Sequence, residues 1–205
     1  MTESQSSALD PFAGGEMGAR MRAFDWSGTP LGPLATWPQS LRSAVSICLG
    51  SRFPIILWWG AELHVLYNDA YVPSFGRKHP DSLGQPGLSA RVWGEVADVI
   101  GPMLRGVLER GEATWEDDQL LVLERNGYPE EAYFTYSYSP IRDETGGVGG
   151  VFAAVSETTP RVIGERQLRT LRELGAQATL AKTPREACQA AGAILRATAQ
   201  TSPSR

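Results

Sequence analysis

Apolar positions recur with two different periods along the chain. Leu41, Val45, Cys48 and Leu49 fall at spacings of four, three and one, which predicts an amphipathic helix over 38–50 with one buried stripe. Pro38 suits its first turn, where a missing N–H costs nothing. Before it, residues 1–15 are rich in Ser, Gly and small side chains without periodicity, and Gly28, Pro30, Gly32 and Pro33 punctuate Asp25 to Pro38. Residues 1–37 therefore read as mostly irregular, with a short helix over Met17 to Phe24. From Phe53 the runs shorten: Ile55 to Trp59, a Gly60-Ala61-Glu62 turn, then Leu63 to Tyr67, the pattern of a strand hairpin. Asn68 or Asp69 is placed to cap a short helix, and 77–90 reads as loop. Val92, Val96, Val99, Ile100, Met103, Leu104, Val107 and Leu108 keep helical spacing up to Arg110. Pro102 should bend or interrupt that helix, and Gly111 should stop it.

Three strand-like segments follow, Thr114 to Glu124, Glu131 to Ile141 and Gly147 to Ser156, expected to pair antiparallel in sequence order. In the middle one Phe134, Tyr136 and Tyr138 share one face and Tyr133, Thr135 and Ser137 the other, so both faces should be covered. Over 160–181 Leu168, Leu171, Leu174 and Ala178 form a single helical seam, flanked by Glu165, Arg169 and Glu173 in alternating-sign pairs four apart. Thr183-Pro184-Arg185-Glu186 has the form of a capping box, so a second helix should begin there with Ala187, Ala191, Ile194 and Leu195 as its face. No later segment offers to bury that face, and the expectation is that the sequence stops inside a further domain over 183–205.

Composition narrows the classes. The 205 residues are 42% hydrophobic and 20% charged, enough for one globular domain, here 53–157, with additional helices. A net charge of −4 argues against a nucleic-acid partner, which needs clustered Lys and Arg. Cys48 and Cys188 read as small core residues of a reducing compartment. The longest apolar run, Ile55 to Trp59, cannot cross a bilayer, and the first ten residues lack a signal-peptide pattern, so no membrane association and a cytoplasmic location are expected.

Two motifs resemble the PAS family. Leu66-Tyr67-Asn68-Asp69-Ala70-Tyr71 is similar to its junction between second strand and first helix, and Ser139-Pro140-Ile141-Arg142-Asp143-Glu144 with Gly146-Gly147 is similar to the turn into its last strand. The wording WSGTPLGPLATWPQSLRSAV and LERNGYPEEAYFTYSYSPIRDETGGVGGVF resembles PAS regions at the front of large bacterial sensor kinases, and RTLRELGAQATLAKTPREACQAAGAIL resembles a connector into a GAF domain. The resemblance, over residues 25–195, implies an α+β PAS fold, a five-stranded antiparallel sheet with helices on one face. It implies a sensory, non-catalytic module of a sensor histidine kinase, working as a homodimer and signalling through the helix over 160–181. A small ligand would sit between the sheet and the long helix, with Trp59, Trp93, Val96, Ile100, Leu104, Phe134 and Tyr136 as the candidate lining. A ligand-free dimerisation scaffold, or the PAS module of a phosphatase or cyclase, are the alternatives.

Other chemistry finds little support in the residues. The only histidines, His64 and His79, do not sit on the long helix, and both read as surface or capping residues rather than as haem ligands or a phosphoacceptor. No Cys lies between Cys48 and Cys188, so flavin-adduct chemistry is not expected; the identity of any cofactor stays open. Gly146-Gly147-Val148-Gly149-Gly150 precedes a strand and lacks the Lys-Ser/Thr of a phosphate loop. Glu116, Asp117 and Asp118 lack the ligand alternation of a calcium loop and read as a solvated strand end, and no metal is assigned. Trp58, Trp59, Trp93 and Trp115 read first as core filling and second as pocket walls.

Overall fold

The computed structural model describes residue 12 and residues 14–200, with side chains as far as 197. Five strands, β1 (Ile55–Trp59), β2 (His64–Tyr67), β3 (Thr114–Leu123), β4 (Glu130–Arg142) and β5 (Val148–Glu157), form one antiparallel sheet in the order β2-β1-β5-β4-β3. The last three strands pair as consecutive hairpins, as their turn residues predict. In the β4–β5 turn the Asp143 carboxylate accepts from the backbone N–H of Thr145 and Gly147, at 2.9 and 3.0 Å, and Gly146 supplies the φ of +86° that the turn needs. Register sorts residues into two faces. Tyr67, Ile56, Ala153, Tyr138 and Thr114 lie in one cross-sheet row, and Leu66, Leu57, Phe152 and Ser139 in the next, facing the other way.

Helix α4 (Ala97–Arg110) covers the first of these faces, packed on β4 and β5. It is shorter than its hydropathy predicts: Val92 to Val96 is taken up by turns, and the Lys78 ammonium, bonded to the Val92 carbonyl at 2.5 Å and to the Glu95 carboxylate, ties that approach down. Pro102 lies inside α4, which runs on through it to stop at Gly111 in the left-handed conformation, φ +68°.

The predicted N-terminal helix is α2 (Gln39–Gly50), with Pro38 just outside it as N-cap. Leu41, Val45 and Cys48 are fully buried, and α2 packs against β1, β2 and β4. Leu57 is also fully buried and points away from Ile56 and Trp58, so α2 covers the second face of this chain's own sheet. Helix α1 (Gly15–Ala23) and the turns after it fold onto the same body, where Phe12, Trp26 and Trp37 stack edge to face. A short α3 (Val72–Phe75) follows β2.

Asn68 ties the pieces together. Its Oδ1 accepts from the N–H of Ile55 and Tyr71, both at 3.1 Å, and its Nδ2 donates to the carbonyls of Cys48, Ser51 and Phe53 at 3.0, 3.1 and 2.7 Å. The end of α2, the start of β1 and the cap of the next helical turn thus meet on one buried side chain. Asp69, the neighbouring residue, accepts from the N–H of Glu16 and Met17 at 3.1 and 2.7 Å, so α1 is capped from across the fold.

Beyond the sheet, α5 (Thr159–Leu180) and α6 (Pro184–Gln200) form an antiparallel pair. The capping box closes one residue early: Thr183 accepts from the Glu186 N–H at 3.2 Å, while the Glu186 carboxylate reaches the N–H of Lys182 at 2.8 Å. Ala187, Ala191 and Ile194 are half-buried, so α5 partly covers the face for which no later segment of the sequence offers a partner. On α5 the half-buried line is Val162, Arg166, Thr170 and Leu174, whereas Leu168 and Leu171 are 53% and 63% exposed and Ala178 is exposed. Among the described residues no helix is long and apolar enough to cross a membrane.

Candidate functional site

Between α4 and the sheet lies a cavity of about 30 Å³, every lining residue of which is buried. Its apolar walls are Ile56, Val155 and Phe134 from the sheet, Leu121 and Leu123 from β3, and Val96 and Ile100 from the α4 side. Its polar-tipped walls are Trp58, Tyr71, Ser74, Trp93, Tyr136 and Tyr138. Phe75 holds Trp93 in place by stacking on it at 4.9 Å, and the Lys78 ammonium sits 4.8 Å over the same indole. The Tyr136 and Tyr138 rings stack at 4.7 Å.

Burial pushes the Tyr136 phenol up to about 12 and raises those of Tyr71 and Tyr138 well above their ordinary value, so all three are neutral at physiological pH. The indole N–H groups of Trp58 and Trp93 are buried without a hydrogen-bond partner. That of Trp93 lies close enough to the Tyr71 hydroxyl to oppose the rise caused by burial, without reaching hydrogen-bond geometry.

Of the residues picked from sequence, Trp93, Val96, Ile100, Phe134 and Tyr136 come together around this cavity. Trp59 does not: one residue along a strand reverses the face, so Trp58 takes the cavity position. The Trp59 ring instead lies across β5, within 2.9 and 2.6 Å of where a Cβ on Gly149 or Gly150 would stand. Leu104 is fully buried but lies one turn of α4 beyond Ile100, off the cavity. Sequence reasoning left out Tyr71 and Tyr138; the latter was legible from its period-two spacing with Phe134 and Tyr136. Trp115 is 66% exposed on β3 and fills no core. Cys188 is exposed, correcting its reading as a core residue, whereas Cys48 is buried on α2.

Neither haem nor flavin fits the residues present. His64 is buried rather than on the surface, its Nδ1 within 2.8 Å of the Gly84 carbonyl, and His79 Nδ1 sits 3.0 Å from the Tyr67 hydroxyl; neither lines the cavity. Cys48 belongs to the opposite face of the sheet, and a cavity of about 30 Å³ is too small for a macrocycle or tricycle. Among the described residues no cluster of His, Cys, Asp and Glu could hold a metal ion. The acidic run is a β-bulge: Asp118, at φ +49°, pairs with Arg161 of α5, and Asp117 accepts from the Thr135 hydroxyl at 2.7 Å.

The sheet grips α5 at its root. Thr159 Oγ1 accepts from the Tyr133 N–H at 2.8 Å, and the Thr158 N–H donates to the Tyr133 carbonyl at 2.8 Å. Arg125 makes a two-pronged bond to Glu157, both contacts 2.8 Å, and reaches Glu130 at 3.3 Å. Arg166 does the same to Glu131 at 2.6 and 3.1 Å. The bonds from Arg125 hold the Glu157 carboxyl below its ordinary range, and those from Arg166 do so for Glu131.

No family model matches the chain, and no curated protein matches its sequence. Solved structures do. The PAS domain of BvgS from Bordetella pertussis is 24% identical, over 62% of this chain and 92% of that one, with a TM-score of 0.46. A sensory box sensor histidine kinase from Vibrio cholerae is 18% identical, over 57% and 86%, at 0.39. A LOV protein from Rhodobacter sphaeroides is 16% identical, over 80% and 98%, at 0.48. The sheet order 2-1-5-4-3 with α4 across one face defines the class on its own: the chain has the PAS fold, α+β, with a five-stranded antiparallel sheet.

Proposed function

We propose that this chain is a sensory PAS module of a bacterial signalling protein, without a reaction of its own, in which the state of the cavity sets how α5 leaves the sheet. The observation that carries this reading is continuity: Phe134, Tyr136 and Val155 line the cavity, and their strands, β4 and β5, carry Tyr133, Glu131 and Glu157, which hold the root of α5. A ligand that binds two packings of these strands unequally would shift the population between them, and the ion pairs would carry the shift into the helix. The exposed Leu168 and Leu171 offer a surface for a partner copy, so the working form is a homodimer. The chain would belong to a cytoplasmic sensor histidine kinase, with α6 leading toward a GAF domain, and with no part for nucleic acid or membrane. A phosphatase or cyclase would use the same module unchanged.

One observation favours a second reading. The cavity, at about 30 Å³, is small, which also suits a scaffold that only dimerises and spaces an output domain. Native mass spectrometry separates the two. A dimer carrying the extra mass of a small molecule supports the sensor, an empty dimer supports the scaffold, and a monomer at physiological concentration defeats both as stated.

A further inference from the structure

The cavity has donors and no charge, and that combination selects a kind of ligand. Trp58 and Trp93 are 1% and 3% exposed and both line the cavity; the Trp58 indole N–H has no protein partner, and that of Trp93 has only the nearby Tyr71 hydroxyl, short of hydrogen-bond geometry. An indole nitrogen donates and cannot accept. The remaining polar groups of the lining are hydroxyls, and no Asp, Glu, Lys, Arg or His is among them. A charged ligand would lose its hydration there with no counter-charge to replace it. A purely apolar one would leave both N–H groups as unpaired as before and gain nothing from them. The volume of about 30 Å³ is the space open to the centres of water-sized groups, so a molecule filling it is larger than one or two waters yet limited to a few heavy atoms.

Resting on the reading of this cavity as a ligand site, we infer that it takes a neutral, compact hydrogen-bond acceptor of a few heavy atoms, of the small ketone or amide class. The carbonyl oxygen accepts from the indole N–H of Trp58 or Trp93, and the alkyl part rests on Ile100 and Val155. Selection against ions follows from the walls, and selection against larger molecules from the packing of α4 on the sheet.

The test is a titration of the full chain, labelled with ¹⁵N at its indoles, followed by NMR, with single Trp58→Phe and Trp93→Phe variants to assign the two signals. Acetone should move one or both indole signals downfield and saturate. Isobutene, of the same shape without an acceptor, should give no downfield shift, and acetate at neutral pH should not bind. The variant that loses the donating indole should bind acetone roughly five- to tenfold more weakly, the worth of one hydrogen bond. A response to isobutene equal to that to acetone, binding of acetate, or no saturable shift with acetone, meaning that water alone serves these groups, each overturns the inference. Amide exchange in α5, measured in the same samples, keeps the two readings apart. Saturation by acetone with α5 unchanged sinks the relay and leaves the ligand class standing; failure of acetone with α5 responding to another occupant does the reverse.

Discussion

Polar groups are buried both at the junction around Asn68 and in the interior under α4, yet the two places treat them in opposite ways. At the junction the Asn68 amide uses both its acceptor positions and all its donors, on five backbone groups from three segments. Under α4 two indole N–H groups have no partner, and a cavity lies beside them. A saturated polar group holds architecture, because each bond fixes a backbone position and none is left over. An unsaturated one holds a standing cost that an incoming molecule can relieve. The contrast teaches where this fold can respond.

The sharpest way to break that comparison is Asn68→Ala. It strands the Ile55 N–H at a buried site and removes one bond each from the Cys48, Ser51 and Phe53 carbonyls, while the Tyr71 N–H keeps the Asn68 carbonyl, and it should lower unfolding free energy by about 2–4 kcal/mol, read from urea midpoints. A loss below about 1 kcal/mol would mean the junction is no more committed than the cavity. A matched pair of added methylenes comes next. Val155→Ile points into the cavity and should raise stability by up to about 1 kcal/mol, whereas Val45→Ile, in the filled layer under α2, should lower it by about 1–3 kcal/mol. Equal signs would erase the difference in packing between the two faces.

The smallest expected effect is in pH. Glu157 and Glu131 have folded pKa values depressed by Arg125 and Arg166, so their contribution is fully present above the unfolded carboxylate value and is lost as pH falls through the folded one. Protection of the amides in the first turns of α5, corrected for the intrinsic pH dependence of exchange, should therefore fall below about pH 4.5, before the sheet gives way. Tyr71, Tyr136 and Tyr138 run the other way. Their raised values favour the fold below about pH 10 and the benefit fades as pH rises through that of Tyr136, about 12, so alkaline unfolding should begin in the layer under α4.

Sequence periodicity located every strand to within about one or two residues, because each run is bounded by Gly, Asn or Asp turns that only one geometry satisfies. It also marked Asn68, but not what Asn68 joins. The cavity was legible where alternation is clean, in Phe134 and Tyr136, and illegible in β1, where Ile55 to Trp58 are all buried on both faces and hydropathy cannot say which tryptophan points inward. The start of α4 was misjudged because Val92, Trp93 and Val96 are apolar at helical spacing yet belong to a turn pinned by Lys78. The seam of α5 was over-read: four leucine and alanine positions look like one stripe, but α6 covers only the Leu174 side of it.

Because α1 borrows its N-cap from a residue 52 to 53 positions downstream, it has a place in time as well as in space. As the chain leaves the ribosome, Gly15–Ala23 emerges long before Asp69 and must wait, nine residues too few to hold a helix unaided. Its docking should therefore come late, so that substitutions in α1 speed unfolding and leave the folding rate almost untouched, which the two arms of a chevron would read.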